Sequence, residues 1–161
     1  MTPLAAFSLR GEPATREGPV GALFHEGRET GLRIHAARLE AQFHVQPNLF
    51  LLFFTDDSPY EEELQILLLD THFQLLDGLV LGQPYTPGML SGLDAQGEQG
   101  LLFDFFADTR LLLSVHPEGV FHMIRRLPSF ARPLKGRFFS RHYLTLQETP
   151  GATDKENRNA Q

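Results

Sequence analysis

Leu49-Phe50-Leu51-Leu52-Phe53-Phe54, then Thr55-Asp56-Asp57-Ser58-Pro59, then Leu64-Gln65-Ile66-Leu67-Leu68-Leu69 and Asp70-Thr71-His72 ahead of Phe73 to Leu81: this stretch decides the fold. Apolar runs this short, broken by compact Asp, Thr, Ser and Pro, have the length and punctuation of consecutive antiparallel strands and are too short for helices. The reading is two strands and a hairpin. Asp70 suits the turn because its carboxylate can accept a hydrogen bond from the backbone amide two residues on.

Outward from this centre, the next clear pattern is period two. From Leu101 to Val115 the odd positions Leu101, Phe103, Phe105, Ala107, Thr109, Leu111, Leu113 and Val115 form an apolar face with one Thr, while Asp104, Asp108, Arg110, Ser114 and His116 fall on even positions. That is one long strand or a hairpin turning at Ala107-Asp108-Thr109, ended by Pro117-Glu118-Gly119. Leu39, Ala41, Phe43 and Val45 alternate with Glu40, Gln42 and His44 and make another strand. Ala22 to Phe24, Met89 to Leu93 and Gly136 to Leu146 read as further strands, with Asp94 to Gly97 as a hairpin turn. Residues 1 to 20 read as a loose arm or an edge strand around Phe7 to Leu9. Gly82 to Gly88, with Pro84 and Pro87, is a stiff surface loop, since proline fixes its own φ and restricts its predecessor.

No crossover helix fits between these strands. The expected fold is therefore all-β: a single antiparallel β-sandwich or flattened β-barrel over residues 1–147. Residues 148–161 carry no apolar side chain larger than proline and read as a disordered tail.

Composition agrees with one core. At 161 residues and 42% hydrophobic, the chain can bury roughly two-thirds of its unfolded surface. Fourteen Phe, three Tyr and no Trp mean that most large core pieces need no buried hydrogen-bond partner. The chain has no cysteine, which removes disulfides, thiolate metal sites and cysteine nucleophiles. Met1 to Gly18 has no signal-peptide core, and no apolar run approaches the ~20 residues of a membrane span. A soluble, cytoplasmic protein is the expectation.

Charge is uneven. Residues 120–147 hold Arg125, Arg126, Arg132, Lys135, Arg137 and Arg141 and no acid, so with a net charge of −6 the remainder carries −12. The first reading is that this segment lies against the chain's own acidic stretch Asp56, Asp57, Glu61, Glu62 and Glu63. An acidic protein partner or a symmetric self-contact comes next. Nucleic acid is disfavoured despite the interleaved Phe121, Phe130, Phe138, Phe139 and Tyr143, because the acidic remainder repels a polyanion. Tyr85, between Pro84 and Thr86-Pro87, is the expected exposed aromatic anchor.

Phosphate-binding glycine loops and the nucleophile elbow are missing. His25-Glu26-Gly27-Arg28-Glu29 begins like a zinc-protease helix but has Glu29 where the second His must stand. The seven histidines, at 25, 35, 44, 72, 116, 122 and 142, include one loose metal candidate, His116 and His122 with Glu118 between them. No cofactor, metal or catalytic residue is assigned.

The expected function is a non-enzymatic binding or adaptor module whose basic surface, Arg125, Arg126, Arg132, Arg137 and Arg141, faces an acidic partner, with Tyr85 as a further contact. Two alternatives stand beside it. One is a β-barrel carrier of an apolar small molecule, lined by the many Phe and Leu. The other is an enzyme in which Asp104, Asp108 and Arg110 converge with His116 or His122 as acid and base.

Overall fold

The computed structural model describes residues 1–121, 125–134 and 141–150. In chain order the strands are β1 (Thr2–Pro3), β2 (Phe7–Thr15), β3 (Gly18–His25), β4 (Arg28–Ile34), β5 (Arg38–Val45), β6 (Leu49–Thr55), β7 (Leu64–Asp70), β8 (Leu75–Leu81), β9 (Ser91–Gln96), β10 (Gly100–Asp104), β11 (Arg110–Phe121), β12 (Ala131–Pro133) and β13 (Arg141–Thr149). All pair antiparallel. The fold is an all-β sandwich. Among the described residues there is no helix, and hence none long and apolar enough to cross a membrane.

The strands form three separate sheets instead of closing into one barrel. A six-stranded sheet, β1-β5-β6-β7-β8-β12, carries the four-stranded sheet β13-β11-β10-β9 on one face and the three-stranded sheet β2-β3-β4 on the other. This explains why Leu49 to Phe54 and Ile66 to Leu69 are continuous apolar runs. A strand covered on one face alternates; a strand covered on both needs an apolar side chain at every position. Leu51, Phe53, Leu64, Ile66 and Leu68 enter the larger core with Phe103, Leu113 and Leu144, whereas Leu52, Phe54, Leu67 and Leu69 enter a second core with Phe7, Leu23 and Ile34. Each fully buried Leu or Phe contributes about 1.5–3 kcal/mol. Across the larger core the Phe53 and Phe103 rings meet edge to face at 5.7 Å.

Several local expectations shift. Leu101 to Val115 is a hairpin, β10 to β11, and Asp108 takes a turn conformation with φ 61°. Pro117-Glu118-Gly119 does not end β11, which runs on to Phe121 through a bulge between Val115 and Val120. A bulge tolerates proline's missing N–H, and Gly119 supplies the φ of 73°. Asp94 to Gln96 belongs to β9, and the turn begins at Gly97. The arm at residues 1 to 20 contains the whole of β2 and the start of β3. β13 continues to Thr149, past the expected boundary at 147. Residues 151–161, read as a disordered tail, lie outside the described residues.

Two side-chain devices tie the outer sheets to the central one. Gln42 on β5 accepts from the Ala6 and Phe7 N–H groups at 2.9 and 2.8 Å and donates to the Phe7 carbonyl at 3.1 Å. On the other side Asp77 on β8 accepts at 2.9 Å from the Tyr143 and Leu144 N–H groups of β13. Arg125 grips the same carboxylate with both terminal nitrogens, each at 2.9 Å, and donates to the Leu144 carbonyl at 2.8 Å. Amide, carboxylate and guanidinium here take the place of an adjacent strand. The Asp77 and Arg125 side chains are 8% and 9% exposed, so little water competes for these bonds.

Removing one partner of a buried, hydrogen-bonded pair strands the other charge and costs about 3–5 kcal/mol. Asp77→Ala is expected to lower unfolding free energy by that amount in urea denaturation. Arg132→Ala, which breaks the exposed Arg132–Glu63 pair at 3.1 Å, is expected to cost less than about 1 kcal/mol. Equal effects would contradict the assignment of the sheet tie to Asp77.

Candidate functional site

Thr55, Leu64 and Leu81 end or begin adjacent strands at one end of the central sheet, because Leu64 pairs with both of the others. Two loops, 56–63 and 82–90, emerge there together. The second crosses to the four-stranded sheet, where the Met89 N–H donates to the Phe105 carbonyl at 2.9 Å. The loop end of the sandwich is thus built from segments 56–63, 82–90 and 105–109.

Carboxylates shape the first loop from inside. Glu62 accepts from the Asp57 N–H at 2.9 Å and Asp56 from the Glu63 N–H at 3.1 Å. Arg38 pairs with Asp57 at 3.1 Å. Glu61 reaches across to the second loop and accepts from the Tyr85 N–H at 3.2 Å. That bond holds Tyr85 at φ 56°, a left-handed conformation that is an outlier for so bulky a residue. The ring nevertheless stands in solvent, 90% exposed, and the same two loops carry Tyr60 at 80% and Met89 at 75%.

Behind Met89 lies an open cleft of about 670 Å³, lined by Pro87 to Met89 and Ser91 on one side and by Asp104 to Arg110 on the other. Asp104 and Arg110 are direct cross-strand partners, and their side chains meet at 2.7 Å. Arg110 also donates to the Gly92 carbonyl at 3.3 Å. Gly92, at φ 61°, favours glycine, because a Cβ there would be strained and would push aside the Asp104 carboxylate and the Arg110 guanidinium.

The residues singled out in the sequence do not converge on one place. Tyr85 is at the loop end, and Asp104, Asp108 and Arg110 come together in the cleft. Arg125 is buried on Asp77. Arg132 pairs with Glu63, so one contact does join the arginine-rich segment to the acidic stretch. Arg126 is exposed, and Arg141, also exposed, donates to the Glu118 carbonyl at 3.4 Å. Lys135, Arg137, Phe138, Phe139 and His122 lie outside the described residues. His116 bonds Thr145 at 3.0 Å and is not among the residues lining the cleft. Among the described residues, no group of three or more His, Asp or Glu is placed to hold a metal ion. Tyr60 and Met89 were missed; an exposed aromatic among carboxylates was the available signal for Tyr60, and Met89 had none.

No protein-family model, no curated protein and no solved structure matches this chain.

Burial, with the negative charge of Asp56 as a further cause, raises the Glu62 carboxyl above its ordinary value, while the bond from the Asp57 N–H opposes the shift. The folded state therefore holds that proton more tightly than the unfolded state. Stability contributed by this group falls as pH rises from the ordinary value of 4.5 through the folded one. Glu62→Gln keeps the accepting oxygen and is expected to match or exceed the parent's stability near neutral pH, losing the advantage below pH 4.5. Urea midpoints at both pH values check this, and a net loss near neutrality would contradict it. Gly92→Ala is expected to cost at least about 1–2 kcal/mol from its left-handed backbone alone, again read by urea denaturation.

Proposed function

We propose that this domain is a non-enzymatic binding module that grips another protein with the loop end of the sandwich, with Tyr85 as the anchor. The observation that carries the reading is Tyr85 itself: a tyrosine 90% exposed, on a proline-flanked loop, held in a left-handed conformation by the Glu61 carboxylate. With the backbone already held, only the two side-chain torsions of the ring have to be ordered when a partner covers it, and tyrosine is enriched among the residues that dominate interface energies. Tyr60 and Met89 extend the same surface.

The basic-surface expectation is carried forward only by the exposed Arg126, Arg132 and Arg141, since Arg125 is engaged by Asp77. Two observations favour the binding reading over the alternatives. Rings that a carrier would use as cavity lining pack on one another, as Phe53 does on Phe43 and Phe103. The cleft that gathers Asp104, Asp108 and Arg110 has no histidine among its described lining residues.

Affinity capture from the native host tests the reading. Tyr85→Ala is expected to leave the unfolding midpoint unchanged and to weaken partner binding by at least about thirtyfold, as a hot-spot truncation of 2 kcal/mol does. Arg126→Ala is expected to weaken it far less. A partner retained by Tyr85→Ala and lost on Arg126→Ala would overturn the choice of anchor.

A further inference from the structure

The cleft behind Met89 has a chemistry of its own. Its walls are apolar, from Pro87, Met89 and the edges of Phe105 and Phe106, while Asp104, Asp108 and Arg110 supply the charge. Two carboxylates against one guanidinium leave it one formal negative charge. Arg110 is already occupied: one terminal nitrogen bonds Asp104 Oδ2 and the other the Gly92 carbonyl. Among the described residues nothing donates to the second Asp104 oxygen, Oδ1, or to the Asp108 carboxylate. The groups left without a protein donor are therefore water-accessible acceptors, the Asp104 Oδ1 and the Asp108 carboxylate, and Ser91 lines the same apolar-sided slot.

We infer that this cleft receives a lysine side chain of the partner protein. A four-carbon stem suits the apolar walls, and a compact ammonium with three freely directed donors does not need its carboxylate acceptors in one plane. A guanidinium would need both oxygens of one carboxylate in its plane, and Arg110 already holds one oxygen of Asp104. An acidic group would meet the net negative charge and find no free donor fork. The inference rests on the binding-module reading, because Met89 belongs to both the cleft and the exposed face, and the loop that carries Tyr85 forms one wall.

The test uses small probes and needs no partner. Nα-acetyl-lysine methylamide is titrated into the whole protein while backbone amide shifts of residues 87–91 and 104–110 are followed by NMR. The norleucine and glutamate analogues serve as neutral and anionic controls. The lysine probe is expected to give saturable shifts in the millimolar range, with the norleucine probe bound about tenfold more weakly and the glutamate probe not at all. Asp108→Asn, at an exposed turn position whose positive φ asparagine also accepts, should fold normally and weaken the lysine probe about tenfold without affecting norleucine. Met89→Ala should weaken both. Absence of saturable shifts up to the solubility limit, equal binding of the glutamate probe, or an unchanged affinity in Asp108→Asn would each overturn the inference. Lysine binding in the cleft together with full partner retention by Tyr85→Ala would sink only the choice of anchor. Partner loss on Tyr85→Ala with no lysine binding would sink only the lysine assignment.

Discussion

Two strands of this molecule are covered on both faces, and the rest of the structure follows from that. β6 and β7 present side chains alternately to the four-stranded and three-stranded sheets, so neither face can be given to water. Removing either outer sheet would expose a continuous apolar surface, which in water would associate. The central hairpin thus obliges the chain to build two further sheets, one before it in sequence and one after.

A layered arrangement creates edges, and edges leave N–H and C=O groups unpaired. Here Gln42 and the Asp77–Arg125 pair finish the hydrogen bonding where one sheet passes another, at Phe7 and at Leu144. Such contacts also restrict sliding, because each side chain fits one register of backbone donors and acceptors. The same logic reaches the loop end at lower cost in burial. Asp56, Glu61 and Glu62 cap backbone N–H groups there, and a Tyr85 that would otherwise relax is held outward. The acidic stretch is therefore first a set of loop caps and only second a source of field.

How much of this was legible in the sequence depended on distance along the chain. The hairpin at Asp70 was readable because its cause is local: the carboxylate accepts from the His72 N–H at 2.8 Å, two residues away. Fifteen residues of alternation identified the β10–β11 face, and two prolines marked the Tyr85 loop as stiff. The third sheet was harder to see, since β2 and β4 carry Gly, Pro and charge and show no clean period. The continuous runs in β6 and β7 did announce strands, but that they require two covering sheets is a tertiary consequence. The burial of Arg125 is not legible in the sequence because its partner, Asp77, lies 48 residues earlier and nothing local signals the pairing. The cleft had the same difficulty: Asp104 and Arg110 stood six residues apart in plain view, whereas Pro87, Met89 and Gly92 joined them only through the crossing loop.

Native-state hydrogen exchange on β6 and β7 tests the double coverage most directly. The account predicts that the amides of Leu51 to Phe54 and Ile66 to Leu69 exchange only through global unfolding, with slopes against denaturant equal to the full transition. Exchange of these amides through a smaller opening, faster than that of β10 and β11, would contradict it.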